Sequence, residues 1–115
     1  MRIIYRYQLD TNPQDIELHE GYRVVSCQLY QTNGQICVWI ECENTNPKQI
    51  YRFNKYASGR EIPVNQYGAF LGTVQVPKDP QDGGGFITWH VYEGRPKPPE
   101  LINPLDVKTE PDSDG

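Results

Sequence analysis

Apolar and polar residues alternate along much of this chain, and this pattern predicts β-strands. In residues 2–9 every second position is apolar or aromatic, as expected for a strand with one buried face: Ile3, Tyr5, Tyr7 and Leu9. Ile16 and Leu18 repeat the alternation in a second, short strand. Further strands are predicted at about residues 49–56, 67–76 and 86–93, and the one helix-like feature is a turn near residues 63–66. The pattern therefore predicts an all-β domain.

The clearest local signal is the segment RVVSCQLYQTNGQICVWIECE, in which two β-rich runs flank Asn33-Gly34. Asn-Gly is the pair that a two-residue type I′ hairpin turn prefers, because both of its central residues need a positive φ. With this turn, Leu29 lies opposite Val38 and Cys27 opposite Ile40.

This register predicts two contrasting faces for the hairpin. One face is wholly apolar and should pack in the core: Val25, Cys27, Leu29, Ile36, Val38, Ile40 and Cys42. The opposite face is polar around Trp39 and carries Cys37 as an exposed thiol. Cys27 and Cys42 are too far apart for a disulfide, so we expect three free thiols.

Length and composition predict one domain with a tail. A chain of 115 residues has room for one core. Residues 1–94 are expected to form a small antiparallel sandwich or open barrel of about six to seven strands. Five of the ten prolines lie in residues 95–115, which also end in acidic and small polar residues. This region is therefore predicted to be a flexible, partly disordered, Pro-rich acidic tail.

Charge and hydropathy narrow the function classes. The formal net charge is −4, the wrong sign for binding along duplex nucleic acid, although a pocket with two or three cationic side chains can still hold one nucleotide.

No apolar run approaches the ~20 residues of a membrane span, and the alternating start is unlike a signal peptide. We expect a cytoplasmic protein without a cofactor or metal, and a homodimer is compatible with the small domain.

Five segments in order resemble a family of short all-β proteins found mainly in bacteriophages. They are IYRY, GQICVWI, YRFNKYASGREIP, YGAFLGTVQ and GGFITWHVYE, which cover most of residues 2–93. Where that family has T-G-H, this chain has Ser58-Gly59-Arg60, so any role of the histidine would pass to Arg60 or be absent. The resemblance implies a phage origin, and expression in the host cytoplasm, but no activity.

Two groups of residues are candidates for ligand binding. In the loop Ser58-Gly59-Arg60, the glycine allows close backbone approach, the serine offers a hydroxyl, and the arginine can bind a phosphate or carboxylate. Trp39 and Tyr30 could form a stacking wall for a base. Each group also has a structural alternative, an ordinary turn and a packing surface respectively. With two further polar side chains, the predicted site is Tyr30, Trp39, Arg52, Ser58, Gly59, Arg60 and His90.

No enzyme signature is visible, because the sequence places neither a nucleophile nor a carboxylate beside His90. The favoured hypothesis is a non-enzymatic, phage-type binding protein, for instance a counter-defence protein that sequesters a nucleotide immune signal. The alternative is a protein-interaction or virion accessory module that binds a host or phage protein. A hydrolase is the third hypothesis.

Overall fold

Two β-sheets pack face to face in the computed structural model, which describes residues 1–30, 34–66 and 68–114. The first sheet has the strand order β3-β4-β1-β9. Its three long strands are β1 (Arg2–Gln8), β3 (Arg23–Leu29) and β4 (Ile36–Glu43), and its fourth is the two-residue β9 (Ser113–Asp114). Each neighbouring pair is antiparallel.

The second sheet has the order β6-β7-β5-β2-β8. Its strands are β2 (Gln14–His19), β5 (Lys48–Ala57), β6 (Phe70–Pro77), β7 (Phe86–Lys97) and the two-residue β8 (Val107–Lys108). The four long strands are antiparallel neighbours, whereas β8 runs parallel to β2. The prediction of a small all-β sandwich is confirmed. The strand predicted from residue 67 begins at Phe70, and Tyr67 lies outside the described residues.

The core lies between the two sheets and is built from the residues that alternate inward. Ile16, Val38, Ile40, Phe53 and Val91 are each at most 1% exposed. They come from four different strands of the two sheets, so burial of these side chains holds the sheets together. The described part of the chain contains no helix long and apolar enough to cross a membrane.

The hairpin between β3 and β4 forms, but its predicted register is wrong by two residues. Leu29 lies opposite Ile36, and Cys27 lies opposite Val38. The Tyr30 amide donates to the Gln35 carbonyl at 2.7 Å, which leaves four residues between the paired ends instead of two. Gly34 has the expected positive φ of 69°, whereas Asn33 lies outside the described residues. A two-residue shift leaves most side chains on their predicted face, since side chains alternate with a period of two.

Two predicted positions on this hairpin are corrected. Val25 was expected in the core but is 39% exposed, because the ladder shifts between Val24 and Ser26 and leaves Val25 as the extra residue of a bulge. Cys37 was expected to be exposed but is fully buried. The Arg6 guanidinium covers it, with Nη1 at 3.5 Å from the Cys37 Sγ. All three cysteines are free thiols, as predicted.

The predicted boundary after Gly94 falls inside β7, which continues to Lys97. The residues that follow lie along the sandwich. Ile102 is only 7% exposed, and the Asp106 carbonyl accepts a hydrogen bond from the Gln14 Nε2 at 3.2 Å. β8 then pairs with β2 in the second sheet, and β9 pairs with β1 in the first sheet. The tail is therefore docked over much of its length, while its flexibility stays a prediction.

Candidate functional site

A cavity of about 420 Å³ lies on the outer face of the second sheet. Along β5 the buried Phe53 points into the core, so the alternate residues Arg52, Asn54 and Tyr56 face outward into this cavity. The end of β7 forms a second side. The lining among the described residues is Arg52, Asn54, Tyr56, Pro63, Asn65, Gln66, Gly94, Arg95, Pro96, Lys97, Pro98 and Leu101.

Gln66 fixes the loop that forms the third side of the cavity. Its Oε1 accepts hydrogen bonds from the Tyr56 hydroxyl at 2.7 Å and from the Asn54 Nδ2 at 3.3 Å. Its Nε2 donates to the Glu93 carbonyl at 2.9 Å. The backbone N–H of Gln66 also donates to the Pro63 carbonyl at 3.0 Å. This hydrogen bond closes a turn and confirms the turn predicted at residues 63–66. One amide side chain therefore ties the loop to both β5 and β7.

Gly68 allows this loop to lie directly on the backbone of β7. A Cβ at this position would come within 1.1 Å of the Glu93 carbonyl oxygen. Gly94 has a similar but milder role, because its Cβ would lie 3.1 Å from the Arg52 carbonyl oxygen. The absence of side chains at these two glycines brings the loop, β7 and β5 close enough to enclose the cavity.

Arg52 is held in place by Asp15. Its Nε donates to Oδ1 at 2.8 Å and its Nη2 donates to Oδ2 at 2.9 Å, a bidentate pair. Asp15 is only 5% exposed, and its hydrogen bonds raise the pKa of Arg52. Nη1 makes no hydrogen bond within the described part of the chain, so it remains available to a ligand. Arg52 also lines a second cavity of about 260 Å³, together with Asp15 and Asp106.

The larger cavity is locally cationic although the chain is acidic. Arg52, Arg95 and Lys97 contribute to its lining, and its described lining contains no carboxylate. Lys97 makes no ion pair within the part of the chain that the structure describes. Because the charge of Arg52 is largely balanced by Asp15, the excess positive charge of the described lining comes from Lys97 of β7.

A second polar cluster lies near this cavity and joins β5, β7 and β6. The Ser58 Oγ lies 2.9 Å from the His90 Nε2, and the Thr73 Oγ1 lies 3.0 Å from the His90 Nδ1. His90 is directly opposite Tyr56 in the ladder between β5 and β7, and Tyr56 lines the cavity. The structure thus places a hydroxyl beside His90, which sequence reasoning did not.

The turn after β5 presents Ser58 at the surface. The Ser58 amide donates to the Thr88 carbonyl at 3.0 Å, and the Arg60 amide donates to the Ala57 carbonyl at 3.1 Å. Gly59 has a φ of 84°, which explains the glycine at this turn. Ser58, Gly59 and His90 are therefore brought together, whereas Arg60 is an exposed residue of the same turn.

The two aromatic candidates lie elsewhere, on the outer face of the first sheet. Trp39 lines a shallow depression with Ile4, Val25, Ser26 and Gln28. The ring of Tyr30 is covered by the Arg6 guanidinium, whose Cζ lies 3.9 Å from the ring centroid. The predicted residues therefore separate into two groups on opposite faces of the sandwich. They do not form one site.

Several residues of the cavity were missed by sequence reasoning. Asn54 and Tyr56 could have been found, because Arg52, Asn54 and Tyr56 occupy alternate positions of one predicted strand. Arg95 and Lys97 show the same spacing but were assigned to the tail. Nothing in the sequence marked Gln66 as a site residue, since its contacts depend on how the loop between β5 and β6 folds back onto the sheet. Among the described residues no group of three or more His, Cys, Asp or Glu could hold a metal ion.

Comparison with known proteins places the chain in a family. No curated protein and no solved structure matches it. One family model, described as Domain of unknown function (DUF7352), matches residues 1–101. This span contains the seven long strands and the entire described lining of the larger cavity, and it ends before β8 and β9. The chain therefore belongs to the DUF7352 family.

Proposed function

We propose that this protein binds a small anionic ligand of the nucleotide class in the cavity on the outer face of the second sheet. The observation that carries the proposal is the presence of Arg52, Arg95 and Lys97 in a described lining without a carboxylate. In a chain of net charge −4, such a local excess of positive charge attracts an anion to this place and not to the surface in general.

The remaining lining favours a nucleotide over a simple inorganic anion. A volume of about 420 Å³ lies within the usual range of small-molecule sites. Asn54 and Gln66 carry amides that can hydrogen-bond the edge of a base, and Tyr56 offers an aromatic ring. The Lys97 ammonium group and Nη1 of Arg52 suit phosphate oxygens.

The biological role that accompanies this proposal is sequestration. A binding protein that holds a nucleotide signal lowers its free concentration without altering it. The sequence resemblance to phage proteins adds a setting, in which the sequestered molecule is a nucleotide immune signal of the host. We propose a phage origin and a counter-defence role on this basis.

Calorimetric titration with AMP, ADP-ribose and cyclic dinucleotides tests the binding proposal. We expect saturable binding of at least one member of this panel. Substitution Lys97→Glu should weaken it about 10-fold or more, because it removes a charge-assisted contact and adds a repulsive charge. The matched control is Lys78→Glu, at an exposed residue outside the cavity lining. No binding at ~1 mM ligand, or equal losses in both variants, would contradict the proposal.

A second candidate function is protein interaction through the outer face of the first sheet. Ile4 and Val25 are 40% and 39% exposed and adjoin Trp39 in one depression, which makes an apolar patch. Arg2 and Arg23 flank it, both paired with Glu41, so the rim carries both signs of charge. Sedimentation of the wild type and Trp39→Ala tests self-association. A concentration-independent monomer would exclude a homodimer, and co-purification of a partner lost in Trp39→Ala would support binding to another protein.

A further inference from the structure

Ser58, His90 and Thr73 form a linear hydrogen-bonded array with the imidazole at its centre. Nε2 of His90 lies 2.9 Å from the Ser58 Oγ, and Nδ1 lies 3.0 Å from the Thr73 Oγ1. With the proton on Nδ1, that nitrogen donates to Thr73, and Nε2 accepts the Ser58 proton. A hydroxyl, a base and a third group that orients the base are the arrangement of an activated nucleophile.

The surroundings of Ser58 leave it accessible to a substrate. Ser58 and Thr73 are exposed, and His90 is half-buried. The backbone at Ser58 is anchored to Thr88 of β7, so the hydroxyl is carried on a fixed turn next to the imidazole. The amide of Gly59 donates to no acceptor in the described part of the chain, so it can donate to a negative charge that develops beside Ser58.

We propose that Ser58 is a nucleophile activated by His90, and that this site cleaves carboxylic esters by acyl transfer. The proposed acyl transfer at Ser58 goes beyond anion binding in the cavity and does not depend on it. The Ser58 Oγ bonds to the ester carbonyl carbon while its proton moves to the His90 Nε2. The bond from that carbon to the alcohol oxygen breaks, and the alcohol leaves with the proton from His90. Water then attacks the Ser58 ester by the same route, which releases the carboxylic acid and restores the Ser58 hydroxyl.

Thr73 is a positioning residue in this scheme. Its Oγ1 holds the imidazole in the tautomer in which Nε2 is the acceptor, but a neutral hydroxyl stabilises the resulting imidazolium less than a carboxylate does. The site is therefore expected to react slowly with ordinary esters and to be detected best with an activated reagent.

Fluorophosphonate labelling of the full chain, followed by peptide mass spectrometry, tests the proposal. The reagent reacts by formation of a P–O bond to the serine, loss of fluoride and transfer of the hydroxyl proton to the base. We expect modification of Ser58 and none of Ser26, an internal control on the first sheet with no imidazole beside it. His90→Gln should slow labelling about 100-fold. Thr73→Val should slow the labelling of Ser58 less than His90→Gln does. Thr73→Ser, which keeps the hydroxyl, should leave the rate close to that of the wild type.

Hydrolysis of p-nitrophenyl acetate gives a second measurement. An initial burst of nitrophenolate that is lost in Ser58→Ala supports an acyl-enzyme on this residue. Absence of label on Ser58, or labelling of Ser58 and Ser26 at the same rate in the wild type, would overturn the proposal. Because that comparison is made within one folded chain, it holds even if the His90 variant does not fold.

Discussion

Arg52 donates to both carboxylate oxygens of Asp15, through Nε at 2.8 Å and Nη2 at 2.9 Å. The pair joins adjacent strands, since Arg52 and Asp15 are opposite each other in the ladder between β5 and β2. It also fixes a cationic side chain that lines both the larger and the smaller cavity. The same contact therefore contributes to the stability of the second sheet and to the geometry of the candidate site.

Asp15→Asn is expected to destabilise the protein. The substitution breaks the bidentate pair and leaves a partly buried guanidinium without its counter-charge, so the free energy of unfolding should fall by ~1–3 kcal/mol in urea titration. Glu41→Gln is the matched control, because Glu41 pairs with the mainly exposed Arg2 and Arg23. Exposed pairs contribute at most about 1 kcal/mol, so similar losses in the two variants would contradict the role assigned to Asp15.

Gly68→Ala should damage the loop that encloses the cavity. The new Cβ would overlap the Glu93 carbonyl oxygen at 1.1 Å, so the loop must move away from β7 at a cost of ~2–4 kcal/mol. In Gly72→Ala the nearest atom is the Cys27 Cβ at 3.4 Å, which is tolerable, and we expect a loss below about 1 kcal/mol. Thermal unfolding of both variants measures the difference. Equal melting temperatures would show that Gly68 does not lie against β7 as described.

Ile102→Ala tests whether the C-terminal segment is docked. Ile102 is 7% exposed, and truncation of a buried isoleucine should lower the free energy of unfolding by about 2 kcal/mol or more. Leu105→Ala removes a similar side chain that is 91% exposed, so it should change the stability by less than ~0.5 kcal/mol. Urea titration of the two variants is sufficient. A segment that is detached in solution would make both substitutions neutral.

Stability should decline in alkaline solution because the half-buried Cys27 thiol must ionise on unfolding. Burial raises the pKa of Cys27 to about 11 from an ordinary value of 9.0. The contribution of this thiol is complete below pH 9 and is lost as the pH rises toward 11, since the unfolded chain releases the proton first. Tyr7 and Tyr22, whose pKa values are also raised by burial, act in the same direction. Cys27→Ser should therefore flatten the pH dependence of the urea midpoint between pH 9 and 11, and an unchanged slope would refute this explanation.

The strands could be predicted from the sequence because the sandwich buries one face of each long strand. Alternation in β1, β2 and β5 directly reports which residues enter the core. The register of the β3–β4 hairpin could not be derived from Asn33-Gly34, because the same pair fits a two-residue turn and a longer loop. Local sequence also did not reveal the bulge that exposes Val25 or the position of Arg6 over Cys37, since both depend on neighbouring strands.

The candidate site was predicted only in part, for a physical reason. Ser58 and His90 are separated by 32 positions and meet because β5 and β7 are neighbours in the sheet, which alternation alone does not specify. The cavity also forms only because the loop folds back onto β7, where Gln66 and Gly68 both contact the backbone carbonyl of Glu93. The prolines after Gly94 favoured a tail in the sequence, yet β7 continues to Lys97 and includes Arg95.

β8 and β9 protect the corresponding edges of the two sheets, where β2 and β1 would otherwise have unpaired backbone groups. Both lie beyond residue 101, at which the family match ends. Open strand edges are templates for pairing between molecules. We therefore expect the C-terminal segment to limit aggregation by covering part of these edges, and a chain shortened to the matched region to form strand-exchanged oligomers or fibrils.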